Sequence, residues 1–285
     1  MTAVAYVNGV YRRLGGAAVS VQDRGFQFGD AVYEVWGVRD GRLLDTEGHL
    51  RRLARSLGEL RIAAPMSDAA LTLVVREVVR RNRVRDGLAY LQVSRGAAPR
   101  DHAFPDPPVS PTVVLTAKSL DRAALDARAA KGVSVITLPE IRWARCDIKS
   151  VNLLPNVMAR QQAREAGAAE AWFVDAEGYV TEGTASNAWI VDSEGRLRTR
   201  ELSNRILHGV TRATMLRIAE ERHIPIVQAP FTLAEAKDAR EAFMTAATNP
   251  GVPIVAIDGV KIGAGAPGPV ALALRHAYFG QAAET

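Results

Sequence analysis

Two tight-turn dipeptides constrain the fold of this chain most strongly. Asn8-Gly9 lies in "YVNGVY" and Asp40-Gly41 lies in "VRDGRL", each between apolar runs. Asn-Gly and Asp-Gly are the strongest local signals of a β-hairpin, because both turn positions need a positive φ. The sequence therefore predicts antiparallel sheet in the N-terminal part.

Two helices are predicted after the hairpins. Leucines recur at helical spacing in "EGHLRRLARSLGELRI", and Ser67 is a candidate N-cap for "SDAALTLVVREVVRRN". The strands "LAYLQVSR" and "TVVLTAK" then flank a proline-rich loop, "GAAPRDHAFPDPPVSP". Loops of this length are often functional. Residues 121–132 are predicted to connect an α/β domain at 1–120 with a second domain at 133–285.

The second half also mixes strands and helices. Strand pairs are predicted around "DAEG" and "DSEG", and a loop that ends in Gly209 is followed by a helix from about Thr211. The whole chain is therefore predicted to be α+β with mixed sheets.

Composition excludes several function classes. With 285 residues, 48% of them hydrophobic, the chain can bury a sizeable core. The net charge of +5 is spread along the chain without aromatic interleaving, so a nucleic-acid binder is only a weak alternative. Cys146 is the lone cysteine and the five histidines lack ligand spacing, so no disulfide or metal site is expected.

The chain start resembles no signal peptide and no apolar stretch is long enough to span a membrane, so a cytoplasmic location without membrane binding is expected.

Lys149 is notable because lysine is rare in this chain. Of 36 basic residues only five are lysines, which leaves 36 − 5 = 31 arginines. Lysine can lose its proton in a suitable pocket and attack a carbonyl, whereas arginine stays charged. Glu182 follows in "VTEGTASN", and "GVTR" then begins a helix whose free N–H groups suit a phosphate. This order of lysine, acid and phosphate site is what a pyridoxal phosphate enzyme needs.

Six segments together resemble the class IV aminotransferases, and most closely the D-amino acid transaminases. They follow the family order from about residue 6 to residue 260, and they are "RGFQFGDAVYEV", "HLRRL", "SRGAAPRDHAFP", "RWARCDIKSVNLL", "TEGTASN" and "ILHGVTR". The resemblance implies fold type IV, with a small α/β domain, a larger pseudo-barrel domain and pyridoxal 5′-phosphate in the cleft between them. It also implies a homodimer whose active site is shared between subunits.

The resemblance also assigns residue roles. Lys149 corresponds to the catalytic lysine that forms a Schiff base with the cofactor, and Glu182 to the acid that pairs with the pyridine nitrogen. Further cofactor contacts are implied for Arg52, Leu207, Val210, Thr211, Ala247 and Thr248. The substrate carboxylate is expected to meet Tyr33, Arg100 and His102, with the last two contributed by the partner subunit. Ala185 and Ala247 lack hydroxyl groups that some relatives carry.

The predicted reaction is transamination between D-amino acids and 2-oxo acids, such as D-alanine and 2-oxoglutarate to pyruvate and D-glutamate. The partners are therefore small-molecule amino donors and 2-oxo acids. "PRDHAFP" favours this activity over three alternatives on the same scaffold: an (R)-selective amine transaminase, a branched-chain L-amino acid transaminase and an aminodeoxychorismate lyase. A non-catalytic cofactor carrier would not need the Tyr33, Arg100 and His102 trio. Trp36 either shapes the substrate pocket or packs in the core.

Overall fold

The computed structural model describes residues 3–281, which fold into two compact units. The first unit runs to Arg122 and includes the later stretch Ile148–Asn152. The second unit comprises Ala123–Asp147 and the chain from Leu153 onwards. The short stretch Ile148–Asn152 thus interrupts the second unit along the sequence.

The first unit is built on a six-stranded sheet whose neighbouring strands are all antiparallel, in the order β2-β1-β6-β5-β3-β4. Its strands are β1 (Val4–Val7), β2 (Val10–Arg13), β3 (Ala31–Arg39), β4 (Arg42–Leu43), β5 (Gly87–Ser94) and β6 (Thr112–Ser119). Its helices are α1 (Arg24–Phe28), α2 (Thr46–Glu59) and α3 (Asp68–Arg81), with a 3-10 turn at Leu14–Gly16.

Both predicted hairpins are present. Asn8 and Gly9 join β1 to β2 with φ values of 45° and 91°, and Asp40 and Gly41 join β3 to β4 with φ values of 49° and 80°. All four residues are in the left-handed region, which Asn, Asp and Gly tolerate best. The local turn chemistry therefore sets the register of both strand pairs.

The core of the first unit lies between the sheet and helices α2 and α3. Leu53 and Leu57 of α2 and Val75 of α3 pack there on strand residues such as Leu91. Ser67 caps α3, as predicted, by accepting a hydrogen bond from the Ala70 N–H. Trp36 belongs to this core as well.

The second unit contains a nine-stranded mixed sheet in the order β12-β11-β10-β13-β14-β7-β8-β9, with β15 paired to β14. Its strands are β7 (Val133–Pro139), β8 (Glu170–Val174), β9 (Val180–Gly183), β10 (Asn187–Val191), β11 (Leu197–Thr199), β12 (Ile226–Gln228), β13 (Glu241–Ala246), β14 (Asn249–Ile257) and β15 (Val260–Lys261). Its helices are α4 (Arg122–Lys131), α5 (Leu154–Glu165), α6 (Val210–Glu221), α7 (Leu233–Lys237) and α8 (Pro269–Gln281).

Helix α4 occupies the stretch that the sequence predicts as a connector. The domain bounds given above from the sequence alone stay a prediction. The α+β class is confirmed, since both units combine helices with sheet. Within residues 3–281 no helix is both long and apolar enough to cross a membrane.

Strands β9 and β10 are buried along their whole length, so their side chains are largely shielded from bulk water. Strand β7 pairs in parallel with both β8 and β14, and it ends at Pro139, directly before Glu140. The ends of β7 and β9 thus deliver acidic residues to one region of the second unit.

Candidate active site

Lys149 is fixed by its backbone in the first unit. Its carbonyl accepts the N–H of Tyr33 at 2.9 Å, and its own N–H donates to Ser56 Oγ at 3.3 Å. The Lys149 Nζ atom lies 4.1 Å from the centre of the Tyr33 ring. The structure therefore brings together the predicted Schiff-base lysine and one predicted substrate-binding residue.

Tyr33 belongs to β3 and stacks on Tyr90 of β5, with ring centres 5.7 Å apart. The Tyr90 hydroxyl donates to Gln92 at 2.8 Å. Burial raises the pKa of Tyr90 to about 12, so this hydroxyl stays protonated at neutral pH. The stacked pair forms a polar-edged aromatic surface beside the Lys149 amine.

Arg52 is buried on α2 in a group that we call the Glu34 cluster, formed by Glu34, His49 and Arg52. The Arg52 Nε and Nη2 atoms each donate to Glu34 at 2.8 Å, and His49 Nδ1 lies 2.7 Å from Glu34 Oε2. Burial raises the pKa of Glu34, but Arg52 and His49 outweigh it and lower the value to about 2. The arginine that the resemblance assigns to phosphate thus has an internal carboxylate partner.

Arg100 and His102 lie on the long loop between β5 and β6, and both are exposed. The Arg100 guanidinium is 4.5 Å from the centre of the Phe28 ring, and the His102 ring is 5.4 Å from it. Arg24 donates to the carbonyls of Asp101 and His102 and so anchors the loop. Within residues 3–281 no hydrogen bond or ring contact joins Arg100 or His102 to Tyr33, so the predicted carboxylate trio is not assembled in one chain.

In the second unit, Glu182 lies near the end of β9 and is 4% exposed. Its Oε1 atom accepts from Arg142 Nη1 at 2.5 Å and from the Leu207 N–H at 3.0 Å. Its Oε2 atom accepts from Asn187 Nδ2 at 2.9 Å. Burial raises the pKa of Glu182, although Arg142 and the Leu207 N–H oppose it. The result is a buried carboxylate with an increased affinity for a proton.

Arg142 is shared with a second acid, and we call Glu140, Arg142 and Glu182 the Glu182 cluster. The Arg142 Nε and Nη2 atoms donate to Glu140 at 2.9 Å and 2.6 Å, and Thr181 Oγ1 donates to Glu140 at 2.8 Å. Burial raises the pKa of Glu140, but Arg142 outweighs it and lowers the net value. The two acids therefore differ in proton affinity although one guanidinium serves both.

The start of α6 carries the features of an anion site. Gly209 precedes the helix and gives it no side-chain cap, so the first N–H groups remain available. Thr211 is 3% exposed, and its hydroxyl has no hydrogen-bond partner within the described chain. A Cβ atom at position 209 would lie 1.9 Å from Asn187 Oδ1, so any larger residue would have to displace the Asn187 side chain. Val210 is buried beside Thr211.

Leu207 links the acid to this helix start. Its N–H donates to Glu182, and its carbonyl accepts from Asn187 Nδ2 at 3.1 Å. The two remaining predicted cofactor residues, Ala247 and Thr248, are partly buried in the turn between β13 and β14. Ala185, where some relatives carry serine, is exposed in the turn between β9 and β10.

Sequence reasoning did not select Arg142 or Asn187, although both lie in the quoted segments. Arg142 is one of 31 arginines, and its contact with Glu182 spans 40 positions. Asn187 closes the motif "TEGTASN", but the sequence does not indicate that its amide bridges Glu182 and Leu207. No local signal in a single sequence distinguishes either residue from its equivalents elsewhere in the chain.

Comparisons with known proteins identify the family. Residues 31–257 match the model for amino-transferase class IV. The chain belongs to this family. The D-alanine aminotransferase of Bacillus licheniformis is 40% identical over 282 residues, which cover 98% of each chain. The D-alanine aminotransferase of Staphylococcus haemolyticus is 38% identical over 273 residues, 96% of this chain and 95% of the relative.

Solved structures agree with this family assignment. The T.th. branched-chain amino acid aminotransferase with pyridoxamine 5′-phosphate superposes with a TM-score of 0.88 and 28% identity, covering 98% of this chain and 93% of that one. The branched-chain amino acid aminotransferase of Escherichia coli has a TM-score of 0.89 at 23% identity, covering 99% and 95%, and shows the fold alone. The predicted family and fold type IV are confirmed.

Three kinds of polar group stand out among the residues that the resemblance selects. The first unit supplies the Lys149 amine over the Tyr33 ring. The second unit supplies a buried carboxylate at Glu182 and, at the start of α6, uncapped N–H groups beside the unpartnered Thr211 hydroxyl. Each of these groups is held by backbone or side-chain hydrogen bonds within its own unit.

Proposed function

We propose that this aminotransferase uses pyridoxal 5′-phosphate to exchange amino groups between D-amino acids and 2-oxo acids. A typical reaction is D-alanine and 2-oxoglutarate to pyruvate and D-glutamate. The near full-length similarity to D-alanine aminotransferases supports the choice of donor. The pyridoxamine 5′-phosphate named for the T.th. neighbour supports the choice of cofactor.

The observation that carries the proposal is the link from Glu182 through Leu207 to the start of α6. The acid accepts the Leu207 N–H, and three residues later the helix opens with free N–H groups and the unpartnered hydroxyl of Thr211. The cofactor carries a basic ring nitrogen and a phosphate at different positions of one rigid ring. A buried acid and an anion site joined by one short segment fit that pair of groups.

The residues would divide the chemistry between them. When bound, the cofactor supplies an aldehyde that takes up the amino group and a ring that withdraws the electrons left on Cα. The Lys149 amine would hold the cofactor covalently until the donor's amino group displaces it, and the released amine would then take up the proton of the substrate Cα and return it at a later stage. Glu182 would keep the ring nitrogen protonated. Arg52, Ala247 and Thr248 would add contacts to the phosphate side, and the reverse steps would aminate a second oxo acid.

Tyr33 is proposed to bind the substrate carboxylate together with Arg100 and His102 of a second subunit. The exposure of the loop and its lack of hydrogen bonds to Tyr33 support a role outside its own chain. Exposed apolar side chains support a homodimer, because such surface is usually covered by a partner. They include Phe26 on α1 and Leu154, Val157 and Met158 on α5. The cytoplasmic location stays a prediction.

A donor panel tests the reaction. The purified protein with added cofactor is expected to show a visible absorbance band that bleaches with D-alanine and not with L-alanine. Steady-state assays then compare D-amino acids, L-amino acids and (R)-amines with 2-oxoglutarate or pyruvate as acceptor. A protein that stays colourless would contradict cofactor binding. Preference for L-branched substrates, for (R)-amines or for a lyase reaction without amino-group transfer would move one of the related activities ahead.

Arg100→Ala tests the carboxylate site. We expect kcat/KM for D-alanine and 2-oxoglutarate to fall, because a charged hydrogen-bonded partner is lost. The fall should correspond to a loss of about 2 to 4 kcal/mol in transition-state stabilisation. Activity toward (R)-phenylethylamine, which has no carboxylate, should fall much less. Arg51→Ala removes an exposed arginine from α2 and is the matched control. An equal loss for both donors would mean that the carboxylate binds elsewhere.

A further inference from the structure

We propose that Glu140 is a positioning residue that neutralises Arg142 and thereby keeps Glu182 able to hold a protonated pyridine nitrogen. This inference rests on the proposed function and deepens it. It concerns a residue that neither the sequence motifs nor the resemblance selects. The argument depends on the contacts around one guanidinium in the second unit.

The geometry divides Arg142 between the two acids. One nitrogen, Nη1, donates to Glu182 at 2.5 Å, while Nε and Nη2 donate to Glu140 at 2.9 Å and 2.6 Å. Glu140 thus makes a two-pronged contact, the stronger mode of arginine recognition, whereas Glu182 makes a single one. The two remaining Glu182 contacts come from neutral donors, the Leu207 N–H and the Asn187 amide.

Glu140 is held in place independently of Glu182. Its backbone N–H donates to the Val174 carbonyl at 2.8 Å, which extends the pairing of β7 with β8 by one residue. Its side chain accepts the Thr181 hydroxyl at 2.8 Å. The carboxylate is therefore fixed by two strands and does not depend on the cofactor end of the site.

The charges explain why a second acid is needed. A lone arginine in contact with Glu182 would favour the ionised carboxylate but cancel its negative potential, so a cationic ring nitrogen would gain little from it. With Glu140 present, the cluster contains two acids and one base. One negative charge then remains available to balance the protonated ring. Burial makes this balance matter, because charges in a dry site are weakly screened.

The test measures the proton on the ring nitrogen directly. Apoenzyme is loaded with pyridoxal phosphate labelled with ¹⁵N in the ring, and the ¹⁵N chemical shift is followed against pH. Glu140→Gln is expected to lower the pH at which the ring nitrogen loses its proton by about one unit or more. The half-reaction rate with D-alanine is expected to fall about ten-fold with it. Glu140→Asp should stay close to wild type.

A variant that restores the net charge of the cluster distinguishes an effect of charge on the ring nitrogen from a defect in folding. Glu140→Gln combined with Arg142→Gln leaves Glu182 as the one charge of the cluster, so the ring nitrogen should regain its proton relative to Glu140→Gln alone. Glu194→Gln removes an exposed carboxylate that also pairs with an arginine, and it should not move the titration. Melting curves of the apoproteins check that each variant is folded.

The outcomes are distinct. A wild-type titration in Glu140→Gln, or no recovery in the double variant, would overturn the role of Glu140 and leave the proposed function intact. A wild-type protein that binds no pyridoxal phosphate would overturn the proposed function itself. If Glu140→Gln does not fold, Thr181→Val loosens the same carboxylate and should move the titration in the same direction; an unchanged titration in that variant would equally overturn the inference.

Discussion

The Glu34 cluster and the Glu182 cluster combine acidic and basic side chains in opposite proportions. In the first, one carboxylate lies between Arg52 and His49. In the second, one guanidinium lies between Glu140 and Glu182. The pKa of Glu34 is lowered to about 2 by its two partners despite burial, whereas burial raises that of Glu182. The first cluster is internally balanced, and the second has one acid in excess.

The difference teaches how a buried charge can serve either stability or binding. Glu34 and Arg52 join strand β3 to helix α2, and their ion pair forms without any ligand. Both carboxylate oxygens of Glu182 accept hydrogen bonds, but the negative charge of Glu182 is not fully neutralised. Such an arrangement costs stability in the absence of a cationic group, which is common at functional sites.

Removal of the Glu34 carboxylate should have the largest effect on stability. Glu34→Gln removes the carboxylate that faces the buried Arg52 charge, and we expect a loss of about 3 to 5 kcal/mol in the free energy of unfolding. Denaturant titration of the apoprotein measures this loss. Glu47→Gln, on the exposed side of helix α2, should change stability by less than about 0.5 kcal/mol. A loss below about 1 kcal/mol for Glu34→Gln would show that the Glu34 cluster is not a stabilising ion pair.

The acid dependence of stability should follow from the same carboxylate. The folded-state pKa of Glu34 is about 2 and its ordinary value is 4.5, so its contribution is complete above pH 4.5 and is lost as the pH falls toward 2. The size of this contribution is about 3 kcal/mol. The pKa of His49 is lowered by burial, which adds a loss of the same sign below pH 6.5. Stability of wild type and Glu34→Gln is measured from pH 7 to pH 3, and parallel curves would contradict this assignment.

Glu182→Gln should have the smallest effect on the apoprotein, with the opposite pH dependence. Because its folded-state pKa is raised, Glu182 contributes stability at low pH that is lost as the pH rises above 4.5. The glutamine variant does not lose this stability as the pH rises. Its amide N–H₂ group, however, faces the Asn187 donor and cannot accept that hydrogen bond. The two effects oppose each other, so the net change in stability at pH 7 should stay within about 1 kcal/mol. Thermal unfolding of both apoproteins at pH 5 and pH 7 measures it. A loss as large as that of Glu34→Gln would abolish the contrast between the clusters.

The fold was predictable where the signal is local. Asn8-Gly9 and Asp40-Gly41 specify hairpins through their own φ preferences, and Ser67 caps α3 through a hydrogen bond three residues away. The stretch 121–132 shows the limit, because it is helical although its hydrophobic pattern is weak enough to resemble a connector. Its residues are mostly strong helix formers such as alanine, arginine and leucine, and Ala129 is the one buried residue of α4, so intrinsic propensity rather than an apolar face accounts for this helix.

The candidate site was predictable only as a set of motifs. Lys149 and Glu182 were selected by residue type, order and family resemblance, and their roles remain proposals. The partners of these residues depend on pairings between distant parts of the chain, such as Arg142 with Glu182 and Glu34 with Arg52. A single sequence carries no periodic signal for contacts of that kind, since they arise only when strands and helices meet.

The stretch Ile148–Asn152 has a consequence for the order of events on the ribosome. The Val151 N–H donates to the Ala31 carbonyl, and the Lys149 carbonyl accepts the Tyr33 N–H, so this stretch satisfies backbone groups at the start of β3. When residue 122 has been synthesised, those groups still lack their partners. The first unit is completed only after part of the second has been translated, and a gene split between the two units at 122 would leave the lysine on the wrong polypeptide.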